Sequence, residues 1–469
     1  MAANQKDRIL NTLQALRQYA LEKTAGRGME IGLFYHEEDS YLMRFANAAI
    51  SLNTNEHLIR LDIDAFEGRK RASYALITDL SQLDEMKRGI DTVIELVQHA
   101  QPLNYDPTIP HYPESFSDES HYDPALAQIS NEERLAFFNQ AVAGLETEQI
   151  KPSGIFANGS TTIAMIYTTS EHAQYFQHSD AQVITVLAHT ELKWEVIAEA
   201  SAQRKADLGA GRLNRELGTL VKLYQEAPAQ QLPLGKYDIV FGPAAIAEMA
   251  SIMRWIGFSG GNMKRGFSFL NEAQIGQKVL SAQVSLSDDP SRRETFPFRR
   301  DYYGMKREGF PIFKQGVFQG FTWTQDDADE FQAQPTGHTV SHSSLVIAGG
   351  GQEVGSLQEL ITMPRERDLL YIPYLHYMNL VNPSKGVFTA SSRFGALLLK
   401  QDGSVSIPYN VRLTQSVLDV FGDNIAWLSK QTEAYNLSAS YGRRNPMAMV
   451  APRYMRVNDL EISHSNNAY

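Results

Sequence analysis

Several kinds of residue and motif are missing from this sequence, and each absence excludes a class of protein. The 469 residues contain no cysteine, which excludes disulfides, iron–sulfur clusters, thiolate zinc ligands and cysteine nucleophiles. No apolar run reaches the roughly 18 to 20 residues that a membrane-spanning helix needs. The polar N-terminus does not resemble a signal peptide, so we expect a cytoplasmic protein.

The charge balance is acidic, with a formal net charge of −11. A sequence-independent grip on nucleic acid depends on clustered lysine and arginine, and no such cluster is evident. We therefore expect neither a nucleic-acid partner nor a membrane partner.

The order of helix and strand patterns predicts an α+β protein with a duplicated N-terminal part. A helical pattern at 7–23 precedes strand-like segments up to 78 and a second helix at 80–99. A proline-rich stretch at 102–124 reads as an extended connector. The same order then returns, with a helix at 131–147, strands within 154–189 and a helix at 212–225. This predicts duplicated layers of helix and antiparallel sheet.

The composition changes after Pro233. One clear helix at 243–255 is followed by short aromatic strands, glycine-rich turns and a last short helix at 413–428. This texture is typical of a β-rich domain. The predicted domains are an N-terminal α/β domain at 1–110, a connecting α+β domain at 111–230 and a β-rich C-terminal domain at 231–469.

Two local motifs allow a chemical interpretation and a structural one. Asp288-Asp289-Pro290 could be a carboxylate pair for metal binding or acid–base catalysis, or simply the turn that closes a strand. His338 and His342 are four residues apart, and His376 lies further on. Glycine and proline before His338 favour extended backbone, in which residues four apart are about 13 Å from each other. Hydrogen-bonded or surface histidines are therefore favoured over a metal site.

Several segments together resemble the TldD/PmbA family, whose PmbA branch is also called TldE and was once described as a modulator of DNA gyrase. No single segment is diagnostic, but their order extends over almost the whole chain. They are Arg44-Phe45-Ala46-Asn47, Phe241-Gly242-Pro243-Ala244-Ala245, Ser268-Phe269-Leu270, Gly316–Gly320, Pro335-Thr336-Gly337-His338, Asn382–Thr389 and Ala451-Pro452-Arg453-Tyr454.

The resemblance implies a metallopeptidase-related protein that has lost its own metal. In the TldD branch, H-E-x-x-x-H on a helix and a later cysteine bind zinc, which activates water. The matching helix here is Ala244–Met253, and no histidine occurs between Leu232 and Gly337. Its lone acid, Glu248, is expected at the surface. The chain resembles the PmbA branch, which lacks the ligands and pairs with a TldD subunit around a cavity for unfolded peptides.

The leading hypothesis is a non-catalytic, PmbA/TldE-like subunit, a pseudoenzyme without cofactor, whose TldD-like partner carries the zinc. An alternative is an active hydrolase with a relocated metal site at His338, His342 and His376. A further alternative is a peptide-binding or scaffold homodimer without an enzymatic partner. The predicted peptide-groove residues, taken from the segments of strongest resemblance, are Arg44, Asn47, His338 and Asn382.

Overall fold

The computed structural model describes residues 2–438 and 443–468, in which helices surround three β-sheets. The α-helices in these residues are α1 (Ala2–Thr24), α2 (Leu83–His99), α3 (Pro124–Ala127), α4 (Asn131–Ala141), α5 (Ala210–Glu226), α6 (Pro243–Ile256), α7 (Gly260–Lys264), α8 (Gln325–Phe331), α9 (Leu357–Thr362) and α10 (Val417–Phe421). Short 3-10 helices occur at Lys205–Asp207, Glu272–Gln274, Arg293–Thr295 and Pro383–Lys385.

Strands fall into an N-terminal set and a C-terminal set. The N-terminal strands are β1 (Met29–Ala46), β2 (Ala49–Glu67), β3 (Lys70–Thr78), β4 (Phe116–His121), β5 (Ile150–Tyr167), β6 (Ala173–His189) and β7 (Glu195–Ala202). The C-terminal strands are β8 (Ala229–Gln230), β9 (Gly235–Phe241), β10 (Leu286–Asp288), β11 (Phe310–Lys314), β12 (Val317–Phe318), β13 (Leu345–Ile347), β14 (Leu369–Ile372), β15 (Tyr374–Asn382), β16 (Val387–Arg393), β17 (Leu397–Leu399), β18 (Val405–Pro408), β19 (Val411–Ser416), β20 (Ile425–Leu428), β21 (Thr432–Asn436), β22 (Ala448–Pro452) and β23 (Met455–Ser465).

The repeated N-terminal pattern forms one seven-stranded sheet. Its order is β3-β2-β1-β5-β6-β4, with β7 also pairing with β6. The antiparallel pair of β1 and β5 joins the two repeats, in register from Gly32 opposite Tyr167 to Phe45 opposite Gly154. Helices α1 and α2 pack on this sheet through buried leucine, isoleucine and valine side chains. The predicted α+β class is confirmed, with the two repeats sharing a sheet.

A two-residue turn closes the long hairpin of β1 and β2. Ala46 pairs with Ala49 across the turn, and Asn47 and Ala48 have φ of 50° and 64°. Positive φ at both central residues is the type I′ geometry that suits the twist of a hairpin, and asparagine tolerates it well. Asn47 therefore has a structural role at the tip.

The C-terminal part consists of a six-stranded sheet, a ten-stranded sheet and helix α6. The six-stranded order is β12-β11-β10-β13-β22-β21. The ten-stranded order is β15-β16-β19-β23-β9-β14-β17-β18-β8, with β20 also pairing with β23. Helix α6 contacts β21 and β22 of the first sheet and β15 of the second. The C-terminal half is therefore sheet-rich, as predicted, with its core around one helix.

Three local predictions differ from the structure. The stretch at 413–428, predicted as one helix, contains part of β19, then α10 and then β20. The prediction is wrong because the spacing of its apolar residues fits a helix and also fits the buried faces of two strands. The predicted connector at 102–124 includes β4, which pairs in parallel with β6. The helix predicted at 131–147 ends at Ala141.

A buried ion pair ties the C-terminal chain to the N-terminal sheet. The Arg444 guanidinium lies 2.9 Å from Asp180 of β6, and both side chains are almost fully buried. His36 of β1 lies 2.7 Å from the Arg444 carbonyl oxygen.

The predicted division into domains at residues 110 and 230 stays a prediction. Within the described residues, no helix is both long and apolar enough to cross a bilayer.

Candidate functional site

Helix α6 occupies the centre of the C-terminal half and begins directly after β9. Pro243 stands at its first position, where the missing amide hydrogen has no helical partner to lose. Ala244, Ala245 and Ala247 are buried, so small side chains let the helix approach both sheets closely. The sequence of α6 offers neither histidine nor cysteine to a metal.

Glu248 is the one acidic residue of α6, and its side chain is half-buried. The Tyr435 hydroxyl, on β21, donates to Glu248 Oε1 at 3.3 Å. Burial raises the pKa of the Glu248 carboxyl. The expected surface position is wrong, because sheets cover α6 on two sides and turn its polar position toward Tyr435.

Three further glutamates meet beside the start of α6 around a cavity of about 60 Å³. We call this cavity the acidic cleft; it is lined by Glu199 of β7, Glu216 of α5 and Glu433 of β21. Pro243 and Ala244 form the side that α6 contributes. The acidic cleft thus brings together elements from both halves of the chain.

Two arginines hold two of these glutamates. Arg212 Nη1 lies 3.4 Å from Glu216 Oε2 and 3.0 Å from Glu433 Oε1. Arg453 contacts the same two carboxylates, directly at Glu216 and at 3.7 Å from Glu433. Glu199 forms no ion pair within the described part of the chain, although Arg212 donates to its backbone carbonyl oxygen at 2.6 Å.

The Glu199 carboxyl binds its proton more tightly than an ordinary glutamate does. Burial and the nearby charge of Glu433 raise the pKa of Glu199 to about 8. Burial also raises the pKa of Glu216, against the opposing effect of Arg212. Glu199 therefore holds its proton at neutral pH, and a carboxyl that titrates there can donate or accept a proton near a bound ligand.

The four predicted groove residues lie at three separate places in the fold. Arg44 and Asn47 are exposed at the tip of the β1–β2 hairpin. His338 is buried, and its Nε2 donates to the Glu308 carbonyl oxygen at 3.0 Å. Asn382 accepts from the Lys385 backbone amide at 3.2 Å and caps a 3-10 helix. No hydrogen bond or ion pair found among the described residues links the four, and their groove role stays a prediction.

The three histidines of the alternative metal site also have different surroundings. His342 Nε2 lies 2.7 Å from the Tyr302 hydroxyl and 2.9 Å from Asn445 Oδ1, and burial lowers its pKa to about 3. His376 is half-buried on β15 against the Tyr377 ring. Across residues 2–438 and 443–468, no group of three histidine, aspartate or glutamate side chains is arranged to hold a metal ion.

Sequence reasoning missed the acidic cleft. Glu199 lies between apolar and small residues in the middle of β7, and an acid at such a position is the signal that could have indicated it. Arg212 and Glu216 of α5 lie more than 200 residues before Glu433 and Arg453, so no local motif joins the two pairs. Only the tertiary packing brings them together.

Comparisons with known proteins match the fold of the whole chain and the family of its C-terminal part. The sequence model of the PmbA/TldA metallopeptidase C-terminal domain matches residues 234–464. TldE from Thermococcus kodakarensis is similar in structure, with a TM-score of 0.76 at 15% identity, covering 97% of this chain and 100% of that one. A candidate modulator of a DNA gyrase from Thermotoga maritima has a TM-score of 0.75 at 14% identity, covering 96% and 100%.

A third similar structure is a candidate modulator of DNA gyrase from Bacteroides thetaiotaomicron, with a TM-score of 0.73 at 15% identity, covering 96% of this chain and 98% of that one. A search of curated proteins gave no match. Fold and C-terminal domain define a metallopeptidase-related protein. Residues 234–464 belong to the PmbA/TldA metallopeptidase C-terminal domain family, and the predicted resemblance to the TldD/PmbA family is confirmed.

Proposed function

We propose that this chain is a non-catalytic, TldE-like subunit that assembles with a TldD-type zinc metallopeptidase and helps enclose a chamber for unfolded peptides. One observation carries the proposal: the central helix α6, which the sequence resemblance aligns with the metal-binding helix of the TldD branch, has no zinc-ligating histidine. The chain also has no cysteine to complete a coordination sphere. Zinc sites of this kind need three protein ligands and one open position.

The register of α6 supports this reading. If Glu248 takes the place of the glutamate in H-E-x-x-x-H, the two histidine positions are Ala247 and Ile252. Neither side chain can donate electrons to zinc. A glutamate without a metal-bound water beside it has no nucleophile to activate, and here its carboxylate accepts from Tyr435 instead.

The purified chain alone tests the loss of metal. We expect no stoichiometric zinc by inductively coupled plasma mass spectrometry and no cleavage of unfolded peptides. Treatment with a chelator should leave the thermal unfolding midpoint unchanged, because no structural metal contributes to stability. One tightly bound zinc per chain, or peptidase activity of the isolated chain, would overturn the proposal.

Co-expression with the TldD-type subunit of the same organism tests the partnership. We expect the two chains to co-purify in equal amounts and to cleave unfolded peptides with zinc present in the partner. Glu248→Gln in this chain should leave the activity of the complex unchanged, whereas a general base would lose about 10²- to 10⁴-fold. A homodimer that excludes the TldD-type subunit would contradict the proposed role.

A further inference from the structure

A second cavity, of about 570 Å³, opens on the ten-stranded sheet, and its lining contains three lysine or arginine side chains. We call it the basic cleft. Within the described lining, Glu195 is the one carboxylate. The cationic or titratable side chains that define the basic cleft are Lys193, His376, Arg393, Arg412 and His464. This concentration of cations is unexpected in a chain with a net charge of −11.

The floor of the basic cleft is a row of residues across four adjacent strands. His376 of β15 pairs with Ser391 of β16, Ser391 pairs with Arg412 of β19, and Arg412 pairs with His464 of β23. Residues paired across strands project to the same face of a sheet. With about 4.8 Å between strands, the row is about 14 Å long. The sheet itself therefore fixes the positions of these side chains.

Arg393 and Arg412 are the two guanidinium groups of this face. Arg393 lies two residues along β16 from Ser391, the partner of Arg412. Such diagonal positions are about 7–8 Å apart. Arg393 is held 3.2 Å from Glu195 and over the Phe394 ring at 4.4 Å. Arg412 donates to Thr389 Oγ1 at 3.1 Å and forms no ion pair within the described ranges.

The backbone around the basic cleft is strained. Lys193, Tyr377 and Phe394 line it with φ of 63°, 51° and 59°. They are three of the nine non-glycine residues with positive φ in the described part of the chain. Left-handed backbone at lysine, tyrosine or phenylalanine is energetically unfavourable and is concentrated at binding sites. At Tyr377 it accompanies a break in strand register and leaves the ring 69% exposed.

We propose that the basic cleft binds an extended acidic peptide whose carboxylates occur at alternate positions, one taken by Arg393 and the other by Arg412. Alternate side chains of an extended chain lie about 6.6–6.8 Å apart on one side, close to the diagonal spacing of the two arginines. Adjacent phosphates of a polyphosphate lie closer together than this. The inference rests on the proposed function, from which it takes an unfolded peptide as the ligand, and it adds that this peptide is acidic.

Glu195 is the competitor that the ligand displaces. In the free protein its carboxylate neutralises Arg393, so a peptide carboxylate must replace it. Removing the charge of Glu195 should therefore strengthen binding. An increase in affinity on mutation is a result that general damage to the fold would not produce.

The test uses the isolated full-length chain and fluorescein-labelled unfolded Gly-Ser peptides in fluorescence anisotropy titrations. We expect a peptide with two glutamates at alternate positions to bind more tightly than one with two adjacent glutamates, and a lysine version not to bind. Arg412→Gln should weaken binding by about tenfold or more, and Glu195→Gln should strengthen it. The control Arg88→Gln, on α2, makes the same change of net charge as Arg412→Gln. It should leave the affinity for the peptide unchanged.

Several results would overturn the inference. These are absence of binding, equal binding of the alternate and adjacent peptides, equal losses in Arg412→Gln and Arg88→Gln, or tripolyphosphate binding as tightly with the same dependence on the variants. Thermal unfolding midpoints verify that each variant is folded. Because no arm uses the TldD-type subunit, failure here leaves the assembly experiment unaffected, and failure of assembly leaves these affinities unaffected.

Discussion

Replacing Asp288 with alanine is expected to lower the free energy of unfolding by about 3–5 kcal/mol. Asp288 Oδ1 lies 2.8 Å from Arg307 Nη2, and both side chains are almost completely buried. The same oxygen accepts from the Ser344 backbone amide at 3.0 Å. The substitution therefore leaves a buried guanidinium without its counter-charge and a buried amide without its acceptor.

The neighbouring aspartate provides the matched control. Asp289 Oδ1 accepts from the Ser291 amide at 3.0 Å and closes the turn, so Asp289→Ala should cost only about 0.5–1.5 kcal/mol. Urea unfolding followed by tryptophan fluorescence measures both variants. Equal losses would contradict the buried-pair interpretation. The expected contrast also distinguishes the two interpretations of Asp288-Asp289-Pro290, a carboxylate pair for chemistry or a turn that closes a strand. In the structure β10 ends at Asp288 and a turn follows, which is the second arrangement.

Neutralising Glu199 is expected to stabilise the protein at alkaline pH and to leave it unchanged at pH 4. The folded protein holds the Glu199 proton up to about pH 8, whereas the unfolded chain releases it near the ordinary value of 4.5. Between these values the unfolded state binds fewer protons, so the free energy of unfolding falls as pH rises. The effect is fully developed above pH 8 and is of the order of 5 kcal/mol.

Glu199→Gln removes this dependence, because glutamine has the shape of the protonated acid but cannot ionise. Urea titrations at pH 4, 7 and 9 should show a gain that grows with pH. The exposed Glu226, on the same α5 helix as Arg212 and Glu216, offers a control with the same change of charge. Parallel pH profiles for Glu199→Gln and the unmodified protein would show that Glu199 ionises normally in the fold.

Much of the architecture could be predicted because its signals are local. The apolar faces of α2 and α5 recur at helical spacing, and both helices lie within three residues of their predicted starts. The stretch at 413–428 could not be read correctly, because apolar residues that fit a helix also fit β19 and β20, which tertiary pairing selects. The joining of both repeats into one sheet depends on β1 pairing with β5, for which the sequence has no local signal.

The candidate sites were less accessible to sequence reasoning for the same reason. The absence of histidine and cysteine from α6 could be read directly from the sequence, because it needs no knowledge of the fold. The acidic cleft takes Glu199, Glu216 and Glu433 from three elements, and the basic cleft depends on the registers of four strands. Residue types alone give no distances between such positions, so both clefts required the fold.

The pairing of β1 with β5 also has a consequence for biosynthesis. About 100 residues separate the end of β1 from the start of β5, and a ribosome adds about 5–20 residues per second. Only about 70 of these residues follow β3, so for about 4–14 s after β1 to β3 have emerged, β1 is the outer strand of a three-stranded sheet, with one edge free to pair with another nascent chain. Chains made close together on one messenger are thus most exposed to mispairing during this interval, before residue 150 appears.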